Sequence, residues 1–322
     1  MRTSGHSTHR ILKATLAAAA AIPFSSTFGM MYDLTPKGPQ SLNIVGDVGG
    51  TAIVRDYFEQ PTGTGVFDPF LTLDSNGQTS TGSKMIEQAY NTDGHSALYL
   101  DEHRPSWNTL LRVSDLATIA IENIDYFAFI LDSNEPGGDK SLISIDNIRI
   151  YTSATDDTAQ VGNNTAKLDD LGTLRWAMND PIYNNDNWIK LDSSQENVDQ
   201  GSSNSNGGSG KGDMVVYIPQ SAFGDSLGTD DYIWFYNLNG AHYDFESQTV
   251  QKGNSSKLTT IYPNAGLAAE SGFEEWRAVT MLNRVPPDQG GVPDTGSSLA
   301  LFGIGLAAFG FIGRRLIVEK HC

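Results

Sequence analysis

The run Leu142-Ile143-Ser144-Ile145-Asp146-Asn147-Ile148-Arg149-Ile150-Tyr151 puts Ile143, Ile145, Asn147 and Arg149 on one parity. Ser144, Asp146, Ile148 and Ile150 fall on the other. An imperfect period of two in β-branched residues predicts a strand. Similar runs recur on both sides, bounded by Gly, Asn, Asp and Pro. They are Thr51 to Phe58, Val66 to Leu73, Trp107 to Val113, Tyr126 to Leu131, Thr173 to Met178, Trp188 to Leu191, Met214 to Ile218 and Tyr232 to Tyr236. Long amphipathic helices are scarce, and Gly82 to Tyr90 is expected to form a helical turn or two. About ten strands with turn-rich connections predict an all-β fold, a two-sheet sandwich of jelly-roll-like form. The five Trp residues are expected to pack in its core.

Composition narrows the function. The chain has 322 residues, 38 acidic against 21 basic side chains, a net charge of −17 and one Cys. A nucleic-acid partner held by a basic face is excluded at that charge, and one thiol cannot build a disulfide scaffold. At 39% hydrophobic and 18% charged residues, the chain is neither a disordered polyelectrolyte nor a membrane bundle. Residues 33–291 carry 36 of the 38 acidic residues and read as one exported domain without internal repeats. Within it, 199–213 (Asp-Gln-Gly-Ser-Ser-Asn-Ser-Asn-Gly-Gly-Ser-Gly-Lys-Gly-Asp) reads as a low-complexity loop between strands.

The two ends read as addresses. Arg2, Arg10 and Lys13 precede an apolar stretch from Ala14 to Phe24, small residues follow, and no acidic residue occurs before Asp33. This pattern predicts a secretory signal peptide over 1–29, cut between Ala21 and Met31; a buried N-terminal helix is the competing reading. At the other end, Val292-Pro293-Asp294-Thr295-Gly296 leads into seventeen uncharged residues, 297–313, and then Arg314 and Arg315. As a helix that stretch spans ~26 Å, just short of a ~30 Å hydrocarbon core. It could cross the inner membrane with the arginines held in the cytoplasm.

Residues 292–322 resemble the PEP-CTERM class of sorting signals in its VPDSG-type variant. Val292, Pro293, Asp294 and Gly296 match that variant, Thr295 stands where it has Ser, and Arg314 and Arg315 form the closing cluster. The resemblance implies an exosortase-type enzyme as processing partner, beside the signal peptidase that the N-terminal pattern calls for. It also implies transient inner-membrane insertion through the helix, then delivery to the cell surface or an exopolysaccharide matrix. A permanent single-pass anchor is the alternative. Segments 61–70, 90–94, 188–192, 212–214 and 272–276 are similar to recurring motifs of exported proteins bearing such tails. That likeness implies no activity.

Candidate chemistry is sparse. No Gly-x-Ser-x-Gly or His-Glu-x-x-His occurs, and the domain's His95, His103 and His242 have no flanking pattern. Glu274 and Glu275 are adjacent, so on a strand they point to opposite faces and cannot form a glycosidase pair together. Calcium is the cofactor the sequence best accommodates, with Asp132, Asn134, Asp139 and Asp146 as candidate oxygen ligands. Asp132 to Asp139 packs oxygen donors into a Gly-containing turn, although Pro136 and Ile143 break the EF-hand pattern. Ile145 to Tyr151 resembles the closing strand of carbohydrate-binding and laminin-G-type sandwiches, whose Asp sometimes sits near a metal. An Asp/Asn turn capping its own backbone is the plainer alternative. The expectation is an exported, non-enzymatic structural or adhesive surface protein. A carbohydrate-binding module and a secreted hydrolase are the alternatives.

Overall fold

The computed structural model describes residues 29–36, 38–57, 67–74, 86–93, 99–135, 141–183, 185–194, 212–242, 267–269 and 272–281, and the backbone of 248–251 and 258–261. The sorting tail, nearly all of the signal segment, and 199–211 of the low-complexity loop lie outside them.

Two seven-stranded sheets face each other. The first holds β1 (Met31–Asp33), β5 (Glu87–Tyr90), β6 (Leu111–Arg112), β9 (Leu142–Ser153), β10 (Thr173–Ala177), β11 (Trp188–Asp192) and β13 (Tyr232–Asn239). Its path is β1-β11-β9-β13-β5, with β10 beside β9 and β6 beside β13. The second holds β2 (Ser41–Val45), β3 (Thr51–Asp56), β4 (Leu71–Leu73), β7 (Ile119–Ile121), β8 (Ile124–Asp132), β12 (Met214–Pro219) and β16 (Glu274–Ala278). Its path is β2-β3-β12-β8-β16-β4, with β7 beside β8. A separate hairpin joins β14 (Gln248–Gln251) to β15 (Leu258–Ile261). Pairing is antiparallel except between β1 and β11. The chain changes sheet between β1 and β2, β4 and β5, β6 and β7, β8 and β9, β11 and β12, and β12 and β13, so it is the all-β sandwich that the strand pattern predicts.

The imperfect period of β9 has a structural cause. Leu238 of β13 pairs with Asn147, but Asn239 pairs with Ile145, so Asp146 is an extra residue in a β-bulge. The bulge shifts the parity. Ile143 and Ile145 before it and Ile148 and Ile150 after it therefore all face the inter-sheet core. Strand β8 reads as almost unbroken apolar sequence because both its faces are covered. Phe127, Phe129 and Leu131 enter that core, while Tyr126, Ala128 and Ile130 enter a second cluster outside. On the outer face of the first sheet, Tyr90, Tyr151, Trp234 and Tyr236 are covered by Val161, Leu168 and Leu171.

Aromatic rings link the sheets. Phe235 of β13 meets Trp276 of β16 at 4.7 Å, Phe129 at 5.1 Å and Phe70 at 5.5 Å between centroids. The Trp276 indole N–H donates to Asn237 Oδ1 (2.9 Å), which leaves no polar atom of that ring unpaired. Trp176, Trp234 and Trp276 are core residues, as expected, whereas Trp107 and Trp188 are half-buried.

Three sequence expectations need correction. The strand expected over Val66 to Leu73 is confined, among the described residues, to Leu71–Leu73. Residues 87–90 form strand β5 rather than a helical turn, because Ala89 and Tyr90 find partners in Asn237 and Tyr236 of β13. The strand expected over Trp107 to Val113 shrinks to Leu111–Arg112 between two 3₁₀ turns. Pro105 favours the first turn, and the Asp115 carboxylate takes the Arg112 N–H at the second.

The segment leading into β1 is tightly seated. A Cβ on Gly29 would lie 1.8 Å from the Asp186 carbonyl oxygen. Met30 N donates to Asn187 Oδ1, and Trp188 N donates to Met30 O.

Phe235→Ala removes the ring shared by both sheets. A loss of about 3–5 kcal/mol is expected in urea unfolding, with the midpoint falling and the slope retained.

Candidate functional site

Polar residues replace rings at one end of the inter-sheet core. Glu87 of β5 and Glu274 of β16 come from opposite sheets and hydrogen-bond to each other. Asn239 Nδ2 donates to Glu87 Oε1 at 2.8 Å. All three residues are buried. Glu274 Oε1 and Asn239 Oδ1 have no hydrogen-bond partner. Burial, and then the charge of Glu87, drive the Glu274 carboxyl well above the ordinary range; Glu135 and Asp74 add to it. Burial raises Glu87 too, against its bonds to Glu274 and Asn239.

Next to this pair, Glu102 is fully buried and bridged to Leu73 of β4. Thr92 Oγ1 donates to its Oε2 at 3.2 Å, and its other oxygen has no partner. Burial pushes Glu102 up to about 8.

Strand parity sends Glu275 to the outer face, opposite Asp132 of β8. The two carboxyls hydrogen-bond, and burial followed by the Asp132 charge pushes Glu275 up to about 7. Phe273 lies on that same face. His103 stacks on it (5.0 Å, 14°), Trp107 tilts against it (5.6 Å, 47°), and the exposed Arg104 guanidinium lies 4.5 Å from the Trp107 ring centre. His103 Nδ1 is 3.1 Å from Asp74 Oδ2. The result is a surface cluster of two rings, an imidazole and a guanidinium, fringed by carboxylates.

A third group surrounds the bulge. Asp146 is held by the His242 Nδ1, the Ala241 N–H and the Ser144 hydroxyl. His242 Nε2 lies 3.3 Å from Asp186, and its ring stacks on Trp188 (4.3 Å, 16°). Burial by itself would lower the His242 pKa, but Asp146 and Asp186 outweigh it and raise it. The Ser144 hydroxyl donates to Asp146 rather than to the imidazole, so these residues are not arranged as a Ser-His-Asp triad.

The structure brings together only part of the sequence-derived set. Asp132 is paired with Glu275, and Asn134 Nδ2 donates to the Phe273 carbonyl (2.7 Å). Asp146 belongs to the first sheet and to His242, and Asp139 lies outside the described residues. Among the described residues, no three His, Cys, Asp or Glu side chains form a group that could hold a metal ion. Sequence reasoning missed Glu87, Glu102 and the Phe273 cluster. Glu274 was considered, and its orientation away from Glu275 is as expected.

A family model described as the VPDSG-CTERM motif matches residues 291–316, so the chain carries a PEP-CTERM-type sorting domain. Such a domain marks an exported, cell-surface protein handled by an exosortase-type enzyme. Comparison with curated proteins and with solved structures returns no match. Among the described residues no helix is long and apolar enough to cross a membrane; 297–313 lies outside them.

The raised carboxyls give a pH dependence of defined sign. Glu102 and Glu275 bind protons more tightly folded than unfolded, so their contribution is present below about pH 4.5 and is lost as pH rises through about 7 to 8. In metal-free buffer the melting temperature is expected to fall by about 5 °C or more between pH 5.5 and 8.5. Glu102→Gln should flatten that slope in calorimetry.

Proposed function

We propose that the exported domain is a non-catalytic adhesive or structural component of the cell surface or extracellular matrix, and that it holds polysaccharide at the Phe273 cluster. The observation behind this reading is the half-buried Trp107 and Phe273 pair, fixed by Arg104 and His103 at an outer face. Aromatic faces stack on sugar rings, and flanking carboxylates such as Asp74 accept sugar hydroxyls. A net charge of −17 repels polyanions, so a neutral polysaccharide fits better than an acidic one.

The hydrolase alternative has less support. A retaining glycosidase needs two carboxyls ~5–5.5 Å apart with substrate between them. Glu87 and Glu274 meet inside the sandwich, while Asp132 and Glu275 are buried against each other. Neither pair leaves room for a sugar.

In affinity electrophoresis through gels containing neutral glucans or mannans, the protein should be retarded, and Trp107→Ala should weaken that by about 3- to 10-fold. Equal mobility of the two proteins across the whole panel would reject the reading.

Processing follows from the tail. The proposed route is signal peptidase at the N-terminus, a single-pass inner-membrane intermediate held by 297–313, then exosortase release. Altering Val292, Pro293 and Asp294, or removing Arg314 and Arg315, should leave full-length protein in the inner membrane on fractionation. Normal release of those variants would count against the route.

A further inference from the structure

We infer that Glu87, Glu274 and Asn239 form a buried divalent-cation site, with calcium as the ion that fits, clamping the two sheets together at this end of the sandwich. The argument starts from unmatched oxygens. Glu274 Oε1 and Asn239 Oδ1 are both sealed from solvent and both lack a donor. Their side chains bond to the same Glu87 carboxylate, so both orphans lie on side chains gathered around one carboxylate.

A proton does not complete it. One hydrogen shared between Glu87 and Glu274 makes their mutual contact and still leaves Glu274 Oε1 and Asn239 Oδ1 without a donor. The surroundings add negative charge: Glu135 and Asp74 act on Glu274, and Asp101 and Asp74 act on Glu87. The Asn239 amide already directs its Nδ2 to Glu87, which leaves its oxygen as a free acceptor. A cation satisfies acceptors and offsets charge at once.

The donors are carboxylate and amide oxygens, the ligands of a hard ion. Two carboxylates and one amide oxygen supply about three to five contacts, and water completes the shell of 6–8 that calcium takes. Magnesium demands near-octahedral geometry and sheds water reluctantly, so an enclosed site favours calcium. This assignment is separate from the turn at Asp132 and Asn134, whose polar groups are engaged with Glu275 and Phe273. It is also independent of polysaccharide binding.

The test is thermal unfolding of the purified full-length protein in mild detergent, after chelation and then with 10 mM calcium chloride. Extracellular calcium modules bind at ~10⁻⁴–10⁻³ M, so the melting temperature should rise by about 3–10 °C. Glu274→Gln keeps a donor toward Glu87 and removes the charge; it is expected to fold and to lose the calcium response. Glu87→Gln is the second variant, read in the same way, and Asp132→Asn should keep the response. No shift in the unmutated protein overturns the site. So does a full shift retained in Glu274→Gln or Glu87→Gln. Loss of the shift in Asp132→Asn alone moves the ion to the turn and also overturns it.

Discussion

The contact of Phe235 with Trp276 is what makes two sheets one body. Each ring sits at the middle of a strand, and each strand is hydrogen-bonded on both sides within its own sheet. Burying these rings together removes large apolar surfaces of both sheets from water. Everything nearby must then accommodate the one polar atom carried inward, the Trp276 N–H. Asn237 accepts it, and Asn237 in turn donates to the Asn147 carbonyl. Two residues further along β13, Asn239 reaches Glu87. A ladder of amides thus leads from the aromatic centre to the acidic end.

That gradient divides the domain into parts with different demands. The centre is held by ring packing, which is insensitive to pH and salt. The acidic end is held by groups whose state depends on protons and ions, because carboxyls removed from water resist ionisation. The outer face carries Glu275, Asp132 and the Phe273 cluster, so the three consecutive residues Phe273 to Glu275, at the head of β16, face both the interior chemistry and the outer surface. Strand alternation is what lets Glu274 and Glu275 serve different surroundings.

Much of the fold was readable from local pattern. The runs at 126–131, 142–151, 188–191, 214–218 and 232–236 are strands because β-branched and aromatic residues concentrate there between turn residues. Even the flaw in the period of β9 was visible as Ile-x-Ile-x-x-Ile-x-Ile. Its meaning, a bulge at Asp146, required the partner strand. Short strands such as β1, β4 and β5 have too few residues for a period to register, and Glu87 at the head of β5 looks like a solvated acid. The acidic end was least readable. Its members come from positions 74, 87, 102, 135, 239 and 274, and only the sandwich brings them together. The export signal was the opposite case: a contiguous motif at 291–316 that needs no fold to be recognised.

The seating of Gly29 and β1 has an effect on the order of assembly. Met30 is bonded to Asn187, 157 positions away, and β1 runs alongside β11. A chain threaded outward from its beginning exposes the first strand long before its mate emerges, so this margin of the sheet closes late. Once the margin has closed, backbone packed against the Asp186 carbonyl leaves no space for a side chain at position 29, so the last-formed edge of the sheet is also its most crowded.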